Sequence, residues 1–380
     1  MTTAHSLTNA LAHRISQTLL EAGGWLGFDV FMTQALYTPG LGYYAHGSTK
    51  FGALPYTVQD GVRTAGSDFV TAPEITPLFG WTLAHQVAQA LEVTNTHEVW
   101  EFGAGSGALA LQILQALQAQ GKPLPRYTIV DISGSLRARQ QATLAAFAEQ
   151  VCWVDALPDQ LQAVVLGNEV LDAMPVQLLA RVNGVWHERG VVLGAPDNSG
   201  TPTFAWADRP TDLRPPLPID GPHDYLTEIH PQGESFVRTL GSKLLRGAVF
   251  LIDYGFPAAE YYHPQRHMGT VMCHQAHQAD TDPLARVGQK DITAHVNFTG
   301  VALAGNEADL GVLGYCNQGR FLMNCGLLQH IEAADLPTRV MAQKLVMEHE
   351  MGELFKVIGF YKGDPWQALG FAHGDKTHTL

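Results

Sequence analysis

Two periodicities divide the chain. Leu7, Leu11, Ile15 and Leu19 recur every fourth residue, which predicts an amphipathic helix ending near Gly23 and Gly24. From about residue 97, short apolar runs alternate with helix-forming stretches. HEVWEFG (97–103) reads as a strand, ALALQILQALQAQ (108–120) as a helix stopped by Gly121, and RYTIVDIS (126–133) as a second strand. LRARQQATLAAFAEQ (136–150) continues as a helix, VCWVD (151–155) and QAVVLGNE (162–169) as strands three and four, and AVFLIDYG (248–255) as strand five. This alternation predicts an α/β fold, a parallel sheet with helices on both faces. ADLGVLGY (308–315) and ELFKVIGFYK (353–362) add two strands, separated by helical FLMNCGLLQHIEA (321–333) and RVMAQKLVM (339–347).

The alternation is interrupted between strands four and five. QLLARV and VWHERGVVL flank Asn183-Gly184, a strong hairpin signal. A proline-rich stretch from Pro196 to Pro222 reads as a long surface loop, and LTEIHPQGESFVRTLGSKLL (226–245) as a helix. We read an insertion at about 177–245 within one core spanning 96–380, with residues 1–95 forming a helical and loop region that packs on it. ALYTPGLGYY (35–44) and SDFVTAPEITPLFG (67–80) read as ordered loops and short helices, because Tyr37, Tyr43, Tyr44, Phe69 and Phe79 gain by burial.

Composition narrows the function classes. Apolar residues make up 46% of the 380 and charged residues 16%, ordinary for a globular chain. No apolar run approaches the roughly 18–20 residues that span a bilayer, so membrane insertion is not expected. The N-terminus shows no secretory pattern, and Arg14 is the only basic residue in its first twenty, which argues against a transit peptide. The four cysteines form no CxxC pair, and the cytoplasm is the expected compartment. The net charge of −13 disfavours nucleic acid as the main partner. Seven histidines fall between His223 and His295 without a completing ligand set, and read as polar loop residues rather than a metal site.

The candidate chemistry starts at EFGAGSG (101–107). Gly103, Gly105 and Gly107 follow a strand and precede a helix, so the backbone can approach a ligand closely. GAGSGA also satisfies a dinucleotide fingerprint. Glu101 separates the two cases: a carboxylate there suits a cationic ammonium or sulfonium ligand and opposes a pyrophosphate. Asp131 ends strand two, where it can accept from ribose hydroxyls, and Asp155 ends strand three, near an adenine amino group. Three carboxylates at successive strand ends favour S-adenosyl-L-methionine (SAM) over NAD. Strand four ends in GNEVLDAMP (167–175), which puts Asn168, Glu169 and Asp172 where open parallel sheets bind ligands. Asn and Asp also cap helices, but burying Asn168 with Glu169 after an apolar run is costly without partners.

Together, ALYTPGLGYY, SDFVTAPEITPLFG, EFGAGSG, GNEVLDAMPV, LIDYGF, GQKDITAHVNFT (288–299) and ELFKVIGF resemble the MidA-like family of class I SAM-dependent methyltransferases. Its mitochondrial member is a complex I assembly factor that methylates an arginine. The resemblance implies a Rossmann-like class I methyltransferase sheet, mostly parallel with an antiparallel C-terminal strand. It implies SAM contacts at Glu101, Gly103, Gly105, Gly107, Asp131 and Ile132, adenine contacts at Asp155 and Ala156, and Asn168 and Glu169 near the reacting end. Thr71, Pro73 and Glu74 would fold over the cofactor. The chain departs from the family pattern at Ser67 (usually Gly), at Asp131 (usually Glu) and along TVMCHQAH (270–277).

The resemblance further implies a protein acceptor, a complex I type subunit being the model case. A protonated arginine is a poor nucleophile, and a carboxylate clamp on two of its N–H groups would localise density on the third nitrogen. Glu169 and Asp172, with Asn168, are the candidate catalytic residues. Asp253 and Asp291 are reserves, Tyr254 stands at the same rim, and His295 is a candidate proton acceptor. Two rival functions remain: a chaperone that binds SAM without turnover, and an NAD-linked oxidoreductase.

Overall fold

Runs such as Ala163–Leu166 and Ala248–Ile252 are apolar at every position, so they are stable only as strands buried on both faces. In the structure, a computed structural model describing residues 2–45, 56–59, 62–65, 71–131, 134–275 and 278–380, they lie at the centre of the main sheet. Seven of its eight strands form its main path: β1 (Glu98–Phe102), β2 (Arg126–Val130), β3 (Val151–Val154), β4 (Leu161–Asn168), β5 (Leu244–Phe256), β6 (Gly311–Asn317) and β7 (Phe355–Lys362). Their order is β3-β2-β1-β4-β5-β7-β6. β1 to β5 pair in parallel, and β7 runs antiparallel between β5 and β6. The order therefore reverses between β1 and β4, where open α/β sheets bind their ligands.

The chain divides into two compact units. The second comprises 49–171, 234–255 and 298–380 and holds the main sheet. Its core gathers Val99, Ile129, Val164, Leu166, Phe250 and Ile252 with Phe79, Leu83 and Ile113 from the covering helices Leu78–Thr94 and Ala108–Ala119. The first unit comprises 1–48, 172–233 and 256–297. Its antiparallel sheet pairs Leu26–Gly27, Val185–Leu193, Gln177–Val182 and Tyr225–Ile229 in that order, with Phe204–Pro210 also on Val185–Leu193. The boundaries differ from the expected 1–95 and 96–380. Leu26–Gly27 joins a strand some 160 positions later, a pairing that no local pattern announces.

Two local expectations are corrected. Residues 226–245 are not one helix: Tyr225–Ile229 pairs with Gln177–Val182, and the helix is Pro231–Lys243. Proline at the first helical turn lacks only an N–H that has no partner there. The stretch after Pro196 is not all loop, because Phe204–Pro210 is a strand. Phe204 packs edge-on against Phe31, and Trp206 lies tilted against Phe28. The hairpin at Asn183-Gly184 forms as expected, with φ of 50° and 81° and Val182 opposite Val185.

Candidate functional site

On β1, Val99 and Glu101 share a face by the two-residue period, which buries the Glu101 carboxylate to 2% exposure. Its partner comes from β2, where Val99 stands opposite Tyr127 and Glu101 opposite Ile129. The Tyr127 hydroxyl donates to Glu101 Oε2 at 2.7 Å. Burial pushes the Glu101 pKa up to about 7, the Tyr127 bond opposes this, and the Asp131 charge adds to it.

Beyond β1 the chain turns through Gly103, Gly105 and Gly107 at φ of 65°, 52° and 85°. All three lie in the left-handed region that favours glycine. A Cβ on Gly103 would also stand 2.9 Å from Val170 Cγ2. The Ser106 hydroxyl donates to the Glu74 carboxylate, and Gln112 Nε2 donates to the Pro73 carbonyl at 2.7 Å. The segment carrying buried Thr71 and Pro73 is thus fastened to the glycine turn.

Asp131 follows β2. Its Oδ2 accepts from Gln140 Nε2 at 2.8 Å, and its carbonyl accepts from Arg137. Arg137 also pairs with Asp155, which lies exposed with Ala156 past the end of β3. Ile132 lies outside the described residues.

At the end of β4, Asn168 Nδ2 donates to Glu169 Oε1 at 3.0 Å, and the buried Asn168 Oδ1 has no hydrogen-bond partner among the described residues. Glu169 holds φ at 54°, a conformation that costs a non-glycine residue about 1 kcal/mol or more. Its N–H donates to the Ile252 carbonyl at 2.8 Å. Asp253, a reserve candidate for the chemistry, follows the last β5–β4 parallel register pair, Ile252 with Asn168. Its Oδ2 accepts from the N–H groups of Val170 and Leu171, and its Oδ1 from Tyr254 N–H, so it anchors the loop carrying Glu169.

Asp172 and His295 belong to the first unit. There the Asp172 carbonyl accepts from Ala294 N–H at 2.9 Å, and the His295 ring packs edge-on against Phe256. His230 is buried, its Nε2 has no hydrogen-bond partner among the described residues, and burial drives its pKa down to about 4. Tyr37 and Tyr44 stack with centroids 5.5 Å apart, and the Tyr44 hydroxyl donates to Asp291 Oδ1 at 2.8 Å.

Within the second unit the structure therefore gathers Glu101, the three glycines, Asp131, Asn168 and Glu169 at the carboxyl ends of β1, β2 and β4. Tyr127, Gln112 and Gln140 were missed by sequence reasoning. Tyr127 was recoverable from the β1–β2 register, but a glutamine on a helix gives no signal of burial. The fit to SAM is physical: a buried carboxylate and an unpartnered amide oxygen suit an ammonium, and an acceptor at the end of β2 suits ribose hydroxyls. A pyrophosphate would meet Glu101.

Comparisons with known proteins agree. A family model of S-adenosyl-L-methionine-dependent methyltransferases, Methyltransf_28, matches residues 82–316. A COG1565 superfamily member from Burkholderia thailandensis, crystallised with S-adenosyl-homocysteine bound, shares 47% identity at a TM-score of 0.91, covering 99% of this chain and 98% of that one. Among curated relatives, the mitochondrial protein arginine methyltransferase NDUFAF7 of Danio rerio is 24% identical over 92% of this chain and 86% of its own length. The Drosophila melanogaster homolog is 25% identical over 97% and 90%. With fold, strand order and family match in accord, the chain belongs to this family of SAM-dependent methyltransferases.

Proposed function

We propose that this methyltransferase acts on a side-chain nitrogen of arginine in a protein acceptor. The curated relatives that carry an arginine methyltransferase name support the reading at about a quarter identity. The observation that carries it is the Asn168–Glu169 pair: a carboxylate oriented by a neighbouring amide, on backbone held at positive φ at the point of strand reversal. Strain kept at a ligand-binding edge points to use rather than accident.

SAM supplies an electrophilic methyl group on a sulfonium that leaves as a neutral thioether. The protein's work is to align the nucleophile and exclude water. Glu101 would hold the ammonium of the cofactor and Asp131 the ribose hydroxyls. The backbone of Gly103, Gly105 and Gly107 would lie against the cofactor, Asp155 and Ala156 beside the adenine, and Thr71, Pro73 and Glu74 over it. Glu169 would accept two guanidinium N–H groups, leaving the third nitrogen to react. Asp172 and His295 are the candidates for steadying the acceptor and taking the released proton.

The test is incubation of the protein with methyl-labelled SAM and an extract lacking the gene, with mass spectrometry of what becomes labelled. A complex I type subunit is the first acceptor to examine. Label on arginine supports the proposal, and label on lysine, glutamine or a hydroxyl overturns it. Glu169→Gln should keep most affinity for S-adenosyl-homocysteine and lower turnover by roughly 10²-fold or more. A chaperone would keep its cellular function with this substitution.

A further inference from the structure

Gln140 lies on the helix Gly134–Thr143 and is fully buried. A buried amide must satisfy two N–H groups and at least one lone pair. Gln140 Nε2 donates to the Gly105 carbonyl at 3.1 Å and to Asp131 Oδ2 at 2.8 Å, and Oε1 accepts from Trp153 Nε1 at 2.9 Å. The indole N–H can only donate, so Trp153 fixes which end of the amide is oxygen. The nitrogen is thereby committed to the turn after β1 and the carboxylate after β2. The helix also lies against the glycine turn, since a Cβ on Gly107 would stand in contact with Gln140 Cα at 3.4 Å. One turn earlier, Arg137 repeats the pattern by bonding the Asp131 carbonyl and the Asp155 carboxylate.

We propose that Gln140 is a positioning residue for the cofactor: its amide sets the Asp131 carboxylate and the Gly105 turn in the geometry that receives the adenosine half of SAM. Asp131 raises the Glu101 pKa, so the two carboxylates repel each other. The Gln140 N–H stabilises the Asp131 charge, as the Tyr127 hydroxyl does that of Glu101. Trp153 acts one step further back, by keeping the amide from turning over. The inference rests on the reading that Asp131 meets the ribose, and the experiment separates the two.

Isothermal titration of S-adenosyl-homocysteine into the full-length protein would compare Asp131→Ala, Gln140→Leu and the double variant. Asp131→Ala should weaken binding by about 10-fold or more, the scale of a charged hydrogen bond. Gln140→Leu should weaken it by about 10-fold. The double variant should be no weaker than Asp131→Ala within about 2-fold, because one residue acts through the other. Gln140→Glu faces Asp131 and the Gly105 carbonyl with an oxygen and keeps an acceptor for Trp153. Its affinity, taken as a ratio to the parent protein, should recover as the pH falls and the new carboxyl protonates. A merely structural role predicts a ratio that does not move with pH, so this variant also decides the matter if Gln140→Leu fails to fold. Loss with Asp131→Ala but not with Gln140→Leu, or additive losses, would overturn the proposal and leave the ribose reading intact. Unchanged binding in Asp131→Ala would sink both.

Discussion

Tyr127 donates its hydroxyl to Glu101 Oε2 at 2.7 Å, and neither side chain meets water to any extent. The bond stabilises the ionised form of a carboxyl that burial pushes up to about 7. A ligand ammonium binds only that ionised form. Affinity for S-adenosyl-homocysteine should therefore be level above about pH 7.5 and fall by about 10-fold per unit below about pH 7. Titration calorimetry from pH 5.5 to 8.5 reads this directly. Tyr127→Phe removes a contribution that lowers the pKa, so its break point should lie at higher pH. A flat profile for the parent protein would remove Glu101 from the ligand's surroundings.

The same residue predicts a conflict between stability and function. The Glu101 pKa is raised on folding from 4.5 to about 7, so the folded state binds the proton more tightly than the unfolded state. Ligand-free stability should decline as pH rises from about 4.5 to 7 and then level off, by roughly 3 kcal/mol from this group. Glu101→Gln should remove that slope, melt higher than the parent at pH 8, and bind S-adenosyl-homocysteine far more weakly. Thermal melts across pH, with and without ligand, check both halves.

Gly103→Ala meets two obstacles, a φ of 65° and Val170 Cγ2 at 2.9 Å from the added Cβ. Together they should cost about 1–3 kcal/mol and weaken cofactor binding. Val170→Ala relieves only the contact, so the double substitution should recover part of the loss. Complete recovery in chemical denaturation would show that the backbone conformation is unimportant.

Asp253→Asn separates an anchor from a base. As an anchor for the N–H groups of Val170, Leu171 and Tyr254, it should lower stability by about 1–3 kcal/mol and reduce kcat through the loosened Glu169 loop. Turnover abolished at an unchanged melting temperature would instead assign it to the chemistry.

The parts of the fold legible in the sequence are those set by local chemistry or by burial on two faces. The all-apolar runs in β4 and β5 admit little but central strands, and Asn183-Gly184 admits little but a tight hairpin. Tyr225–Ile229 was misread because Leu226 and Ile229 stand three apart, a spacing that fits a helix as well. Its pairing with Gln177–Val182 decided otherwise. At the site, Glu101, Asn168 and Glu169 announced themselves by being ionisable or polar at the ends of apolar strands. Asp253 announced itself in the same way, but sequence does not show which N–H groups a carboxylate will meet. Gln140 gave no sign, since a helical glutamine is ordinarily solvated and only the approach of three strand ends buries it.

β7 lies between β5 and β6, yet it is the last of the seven to leave the ribosome. Until residue 362 has been made, the nascent chain must carry an unpaired margin along β5, with Phe250 and Ile252 short of their final surroundings. Strand insertion is then a late closing step rather than growth at an edge. Chains stalled or cut before that step should be the ones that aggregate or are captured by holding chaperones.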